Sequence, residues 1–343
     1  MCSREQVEMR NGREIVVITG ASAGVGRATA RAFGSRGASV ALIARDRNRL
    51  EAAKAEVEAA GGQALVLTAD VAQAHQIEDA AEQVEREFGP IEIWVNNAMA
   101  TIFAPFEQIT AEEFKRATEV TYLGFVYGTM AALRCMKPRD KGAIVQVGSA
   151  LAYRSIPLQS AYCGAKHAII GFTDSLRSEL IHDGSSVHIT VVNLPAINTP
   201  QFEWSRSRLP NHPQPIPPIF QPELAAEAIV WAAHHRRREF NLGLPTVLAT
   251  TIQKIAPPVA DRYLAKTGYD SQQTSESVPP GRPDNLVVPV PGDYAAHGRF
   301  DSVSHTRSVQ FWINKNRSGL AVLSGILVLG CIAWRTISQK LSG

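Results

Sequence analysis

Tyr162 and Lys166 stand four residues apart in a helical pattern, so both side chains leave one face of the helix. A free phenol titrates near about 10, so to exchange a proton near neutral pH it needs a neighbouring cation, which the lysine supplies. The pair alone describes many helix surfaces. A second motif narrows it: "TGASAGVG", Thr19 to Gly26, lies between the apolar run "EIVVI" and a helical stretch. In that strand-turn-helix setting Gly20 permits a tight turn, Gly24 lets backbone approach a pyrophosphate, and Gly26 lets the helix pack closely on the sheet. The free N–H groups and positive dipole end of such a helix suit an anionic ligand. No lysine follows at the GxxxxGK[ST] spacing, so a P-loop nucleoside triphosphatase is not supported.

These residues must be held by alternating strands and helices. Up to about residue 250 short β-branched runs recur at Ile15–Thr19, Val40–Ala44, Leu65–Thr68, Ile91–Val95, Ile144–Val147, Ile189–Leu194 and, weakly, near Phe240. Helical patterns such as Arg47–Ala60 and Ala111–Cys135 fall between them, which predicts an α/β fold with a doubly wound, parallel, seven-stranded sheet. A proline-rich stretch, "NTPQFEWSRSRLPNHPQPIPPIFQP", follows the sixth strand and reads as a functional lid. Its Phe202, Trp204 and Phe220 suggest an apolar pocket. Residues 257–316 are rich in Pro, Gly and Ser without period, and read as a linker.

With 343 residues and 45% apolar content the chain can bury a full core. Its 35 basic and 32 acidic residues give a net charge of +3 and no concentrated basic footprint, which excludes nucleic acid as a main partner. Cys2, Cys135, Cys163 and Cys331 show neither a disulfide framework nor metal-ligand spacing, so no metal is expected. The first twenty residues lack an apolar run, so a secretory signal is not expected. The uncharged "GLAVLSGILVLGCIAW", flanked by Lys315, Arg317, Arg335 and Lys340, predicts a transmembrane helix over 317–337 with a tail at 338–343. The expected localisation is a single-pass membrane protein, its catalytic domain cytoplasmic and its last helix in lipid.

The order G-x-x-x-G-x-G, then "NNAM" at Asn96–Met99, Ser149 thirteen residues before Tyr162, and "LPAINTP" after the sixth strand together resemble the short-chain dehydrogenase/reductase family over roughly residues 12–245. The resemblance implies a catalytic domain over 1–256 that binds a nicotinamide dinucleotide. Thr19, Gly20, Ser22, Gly24, Val25 and Gly26 would hold the phosphates, Asp70 and Val71 the adenine, and Asn97 the adenosine ribose. Pro195, Ile197 and Thr199, with Tyr162 and Lys166, would complete the cofactor site. Where the family selects NAD with an acidic residue at the end of the second strand, this chain has Ala44 followed by Arg45. That guanidinium can fork onto a 2′-phosphate and so implies NADP(H).

In the implied mechanism Tyr162 protonates the substrate oxygen, Lys166 and the oxidised nicotinamide favour its phenolate, and Ser149 donates to the developing alkoxide. Cys163 beside the tyrosine reads as a packing residue. Three positions depart from the family pattern: Met99 and Ala196 replace glycines, and Thr121 replaces the asparagine that completes a proton relay with serine, tyrosine and lysine. The function expected is a membrane-tethered oxidoreductase acting on the carbonyl or secondary alcohol of a lipophilic substrate, and the family implies a homodimer. A nucleotide-binding scaffold without turnover, and a lyase or epimerase using the nicotinamide transiently, are the alternatives. Net cofactor oxidation separates them.

Overall fold

Strand β1 (Ile15–Thr19) is buried at every position, as a strand covered by helices on both faces must be. The computed structural model describes residues 12–279 and 281–317. β1 joins β2 (Ser39–Ala44), β3 (Gln63–Thr68), β4 (Ile93–Asn96), β5 (Ala143–Ser149), β6 (His188–Leu194) and β7 (Glu239–Asn241) in one seven-stranded sheet. All its pairs are parallel and the order is 3-2-1-4-5-6-7. The expected doubly wound sheet is the one that forms. The winding of the strand order reverses between β1 and β4, so the loops leaving their carboxyl ends part and open a crevice.

Side-chain alternation along β1 sends Val16 and Ile18 into one core and Val17 into the other. Phe33 of α1 (Gly24–Gly34), Leu50 of α2 (Arg47–Ala59) and Ile229 of α7 (Pro222–Ala233) lie in the first core. Ile77 of α3 (Ala74–Glu87), Ala117 of α4 (Ala111–Thr118), Ala131 of α5 (Gly124–Met136) and Leu180 of α6 (Ser160–His182) lie in the second. The single helix expected over Ala111–Cys135 is interrupted: a π-helical turn at Glu119–Leu123 separates α4 from α5. Such turns insert one residue into the ladder and re-aim a side chain, here Thr121.

The linker assigned to 257–316 is corrected. It begins with α9 (Pro257–Thr267), which packs on α8 (Gly243–Ile255). Gln273–Ser277 then pairs antiparallel with Asn211–Pro213, and Ser304–His305 pairs parallel with Ile219–Phe220. Leu286, Ala296, Phe300 and Phe311 are buried. Composition misleads here because a proline-rich segment without period can still dock through single apolar side chains and through carbonyls that accept from arginines elsewhere in the fold. The strand pairings also order the proline-rich stretch after β6, whose Phe202 and Trp204 line the cavity described below while Phe220 packs in the core.

The expected single-pass membrane localisation is corrected as well. Among the described residues no helix is long and apolar enough to cross a membrane, and the stretch assigned to the span lies, after Arg317, outside the described residues.

Candidate active site

The crevice is a cavity of about 710 Å³ that runs from β2 and β3 across the glycine turn to α8 and α9. At its centre the loops after β1 and β4 are tied together. Thr19 Oγ1 accepts from the backbone N–H of Asn97 (3.0 Å) and Ala98 (3.2 Å), while Asn97 Nδ2 donates to the Thr19 carbonyl at 3.0 Å. Gly20 has φ +68°, and a Cβ there would come within 2.7 Å of the Ala98 Cα, so glycine is required. At Gly26 a Cβ would stand 2.2 Å from the Gly20 carbonyl oxygen, which is why the helix can start against the turn. Helix α1 begins after Ala23, which offers no side-chain cap, and Ser22, Gly24 and Val25 face the cavity. An uncapped helix start over glycine turns fits a dinucleotide's phosphates.

Ser149 ends β5, and its Oγ accepts from the Leu151 N–H at 3.1 Å, which fixes the side chain at the cavity wall. One turn into α6, Tyr162 and Lys166 project from the same face into that wall. Lys166 is only 2% exposed; its Nζ donates to the Val147 carbonyl at 2.7 Å and lies 4.6 Å from the centre of the Phe125 ring. Burial lowers its pKa to about 7. Burial also pushes the Tyr162 phenol above its ordinary value, with Ser149 acting in the opposite direction. The site therefore holds a protonated phenol beside a lysine whose pKa lies near neutrality.

Thr121 is not brought to that group. Its hydroxyl donates to the Ala100 carbonyl at 2.8 Å and accepts the Ala100 N–H at 2.9 Å, so it clamps the loop after β4. Among the described residues no hydrogen bond links it to Lys166. Pro195, Ala196, Ile197 and Thr199 follow β6 along the cavity, and Met99 lines it from the loop after β4. Cys163 is buried and burial raises its pKa, which suits packing and not attack.

The opposite end is more cationic than the sequence suggested. Asp70 and Val71 form its floor, and Asp70 Oδ2 accepts from Arg116 at 2.6 Å. Arg45 and Arg49 line the same end, and the Arg49 guanidinium lies 4.8 Å from the ring centres of both Trp204 and Tyr294. Arg116 carries no local signal: it lies 46 residues from Asp70, on a helix with no motif. Also unforeseen are Asn285 and Pro289, supplied to the cavity by the segment read as linker.

Comparison with known proteins settles the family. The model of the short chain dehydrogenase family matches residues 14–209. The chain belongs to the short-chain dehydrogenase family. An oxidoreductase of uncharacterised role from Bacillus subtilis (strain 168), YxnA, is 32% identical over 323 residues, covering 94% of this chain and 89% of its own. A 3-dehydrosphinganine reductase of Danio rerio is 33% identical over 63% of this dehydrogenase and 67% of its own length. Among solved structures, a 3-ketoacyl-ACP reductase from Sinorhizobium meliloti 1021 superposes with a TM-score of 0.57 at 27% identity, over 66% of this chain and 96% of that one. This dehydrogenase is thus an oxidoreductase of a family that uses NAD(P)(H).

Proposed function

We propose that this dehydrogenase moves hydride between NADP(H) and the carbonyl or secondary alcohol of a lipophilic substrate, with Ser149, Tyr162 and Lys166 as its catalytic residues. The observation that carries the reading is that these three side chains meet in one cavity with the glycine turn and Arg45. Apolar groups, including Ile216, Ile252 and Leu264, line the part beyond Ser149, which favours a substrate with little charge. Support for NADP comes from Ala44, which ends β2 without a carboxylate, and from Arg45, which keeps free N–H donors after meeting two carbonyls. The names of the two reductase relatives favour a ketone and the reductive direction.

When bound, the cofactor supplies the hydride. Tyr162 gives its proton to the substrate oxygen, and its raised pKa keeps that proton in place at neutral pH until the oxygen becomes basic. Ser149 donates a hydrogen bond to the same oxygen. Lys166, once a negative phenolate forms beside it, is drawn back to its charged form and stabilises that charge.

The test incubates the full chain with NADPH deuterated at the transferable position and a lipid extract, and reads the products by mass spectrometry. Deuterium should enter one lipid with the native protein and not with Tyr162→Phe. Binding of NADPH with no transfer in either direction, over oxidised and reduced lipids, would reject the reading and favour a non-catalytic scaffold.

A further inference from the structure

The nucleotide crevice of a doubly wound sheet normally opens to solvent beyond the strands' carboxyl ends. Here the adenosine end has a roof. Residues 284–298 cross it, anchored on one side by Leu286, 1% exposed within the core under β3 and β4, and on the other by Ala296. Between these anchors the strap has no helix or strand and is held by arginines from the crevice rim. Arg45 donates to the Asn285 carbonyl at 2.5 Å and to the Val287 carbonyl at 2.7 Å. Arg49 donates through Nε to the Gly292 carbonyl at 2.6 Å and through Nη2 to the Val290 carbonyl. Arg27, buried in α1, pairs with Asp293, and the Gly24 N–H of the glycine turn donates to the Ala295 carbonyl at 3.1 Å. The cavity continues underneath, with Ala44, Asp70 and Val71 as floor and Asn285 and Pro289 as roof.

We propose that residues 285–295 are a clasp on the adenosine half of the crevice, which lifts for the dinucleotide to enter or leave and closes over it through Arg45 and Arg49. The inference rests on reading the crevice as the NADP(H) site. An adenosine held at the floor would lie beneath the roof and could not exchange while these bonds persist. Lifting the middle exposes little core, because Val287 and Val288 are already 59% and 67% exposed. The forces that hold it are directional and charged, so they break and reform as a unit. Each guanidinium has five N–H donors and spends two on the strap, so the same arginines can hold a phosphate and the strap together. Ligand and closed strap then stabilise each other.

The experiment compares the full chain with Asp293→Ala and Tyr294→Ala, two changes at the surface of the strap. NADPH fluorescence is followed after mixing, and again during displacement by excess NADP⁺, to give association and dissociation rates. Hydrogen exchange of residues 285–295 is measured with and without NADPH. Dissociation should be about tenfold faster in each variant, and NADPH should slow exchange in the strap of the native chain. Unchanged dissociation with unchanged exchange overturns the clasp and leaves the NADP(H) reading standing. A faster association with unaltered dissociation also overturns it, since the strap would then be a competitor. Failure of the native chain to bind either NADPH or NADH overturns both.

Discussion

Lys166 shows how much a single residue's behaviour depends on where the fold puts it. Its amine has one carbonyl partner, an aromatic face and no carboxylate, so burial lowers its pKa from the ordinary 10.5 to about 7. Between those values the unfolded chain binds a proton that the folded chain does not. Stability therefore rises as pH increases from about 7 towards 10.5, and the lysine opposes folding at lower pH. Lys166→Met should abolish that segment of the pH–stability curve in denaturant titrations and leave the protein more stable than wild type at pH 7, while hydride transfer fails. For Tyr162→Phe the proposed mechanism expects a loss of at least about 100-fold in kcat with NADPH affinity retained, since only the proposed proton donor is removed. In the oxidative direction the rate of the native enzyme should climb with pH above neutrality, because a raised phenol pKa makes the base scarce; a flat profile would contradict the assignment of the tyrosine.

At the scale of elements, α4 is the hub that joins the Asp70 end of the crevice to the proline-rich stretch after β6. Thr110 and Glu113 form a reciprocal capping box at its start, and the Glu113 carboxylate also receives Arg206 and Arg208, each at 2.7 Å, from the strand segment after Trp204. Those two guanidiniums and the Thr110 N–H hold its carboxyl at a pKa of about 2, against the burial that would raise it. A depressed carboxylate contributes stability that is complete above its ordinary value of 4.5 and is lost as pH falls towards about 2. Glu113→Gln should cost roughly 1.5–3 kcal/mol at neutral pH and flatten acid denaturation over that window, as followed by circular dichroism. The next turn carries Thr121, which the π-helical interruption sets against Ala100 with two hydrogen bonds. Thr121→Val keeps the shape and removes both bonds, so it should destabilise the loop by roughly 1–3 kcal/mol without altering the pH dependence of turnover; a shifted pH profile would return Thr121 to the proton path.

Over the whole molecule, the segment after residue 257 is part of the domain and not an appendage. Phe311, 3% exposed, packs edge-on against Phe240 of the outermost strand β7 with ring centres 5.4 Å apart. Gln310 donates to the Asn241 carbonyl at 2.8 Å beside it. A short outer strand of three residues is secured by this late contact. Phe311→Ala should therefore cost about 3–5 kcal/mol, the range for emptying an aromatic site in a core, and lower the denaturant midpoint without changing the slope. An unchanged midpoint would mean that the terminal segment docks only loosely. The relative from Bacillus subtilis aligns over 94% of the chain, so its similarity extends into this segment.

The sequence by itself determined the sheet, the glycine turn and the shared face of Tyr162 and Lys166, because each is written in local periodicity or in a spacing of a few residues. Strand β1 falls where its apolar run lies, and Gly20 and Gly26 sit where a Cβ has no room. Tertiary structure alone decided three other matters. Thr121 was drawn to Ala100 by a π-helical turn that no residue pattern announces. Lys166 acquired its lowered pKa from burial, among groups nineteen and forty-one residues away in the chain. The apparent linker became the roof of the crevice through arginines more than 200 residues upstream, and a proline-rich run carries no periodicity from which such a pairing could be read. Short-range patterns encode how a segment folds; only the closed core decides which distant polar groups must satisfy one another.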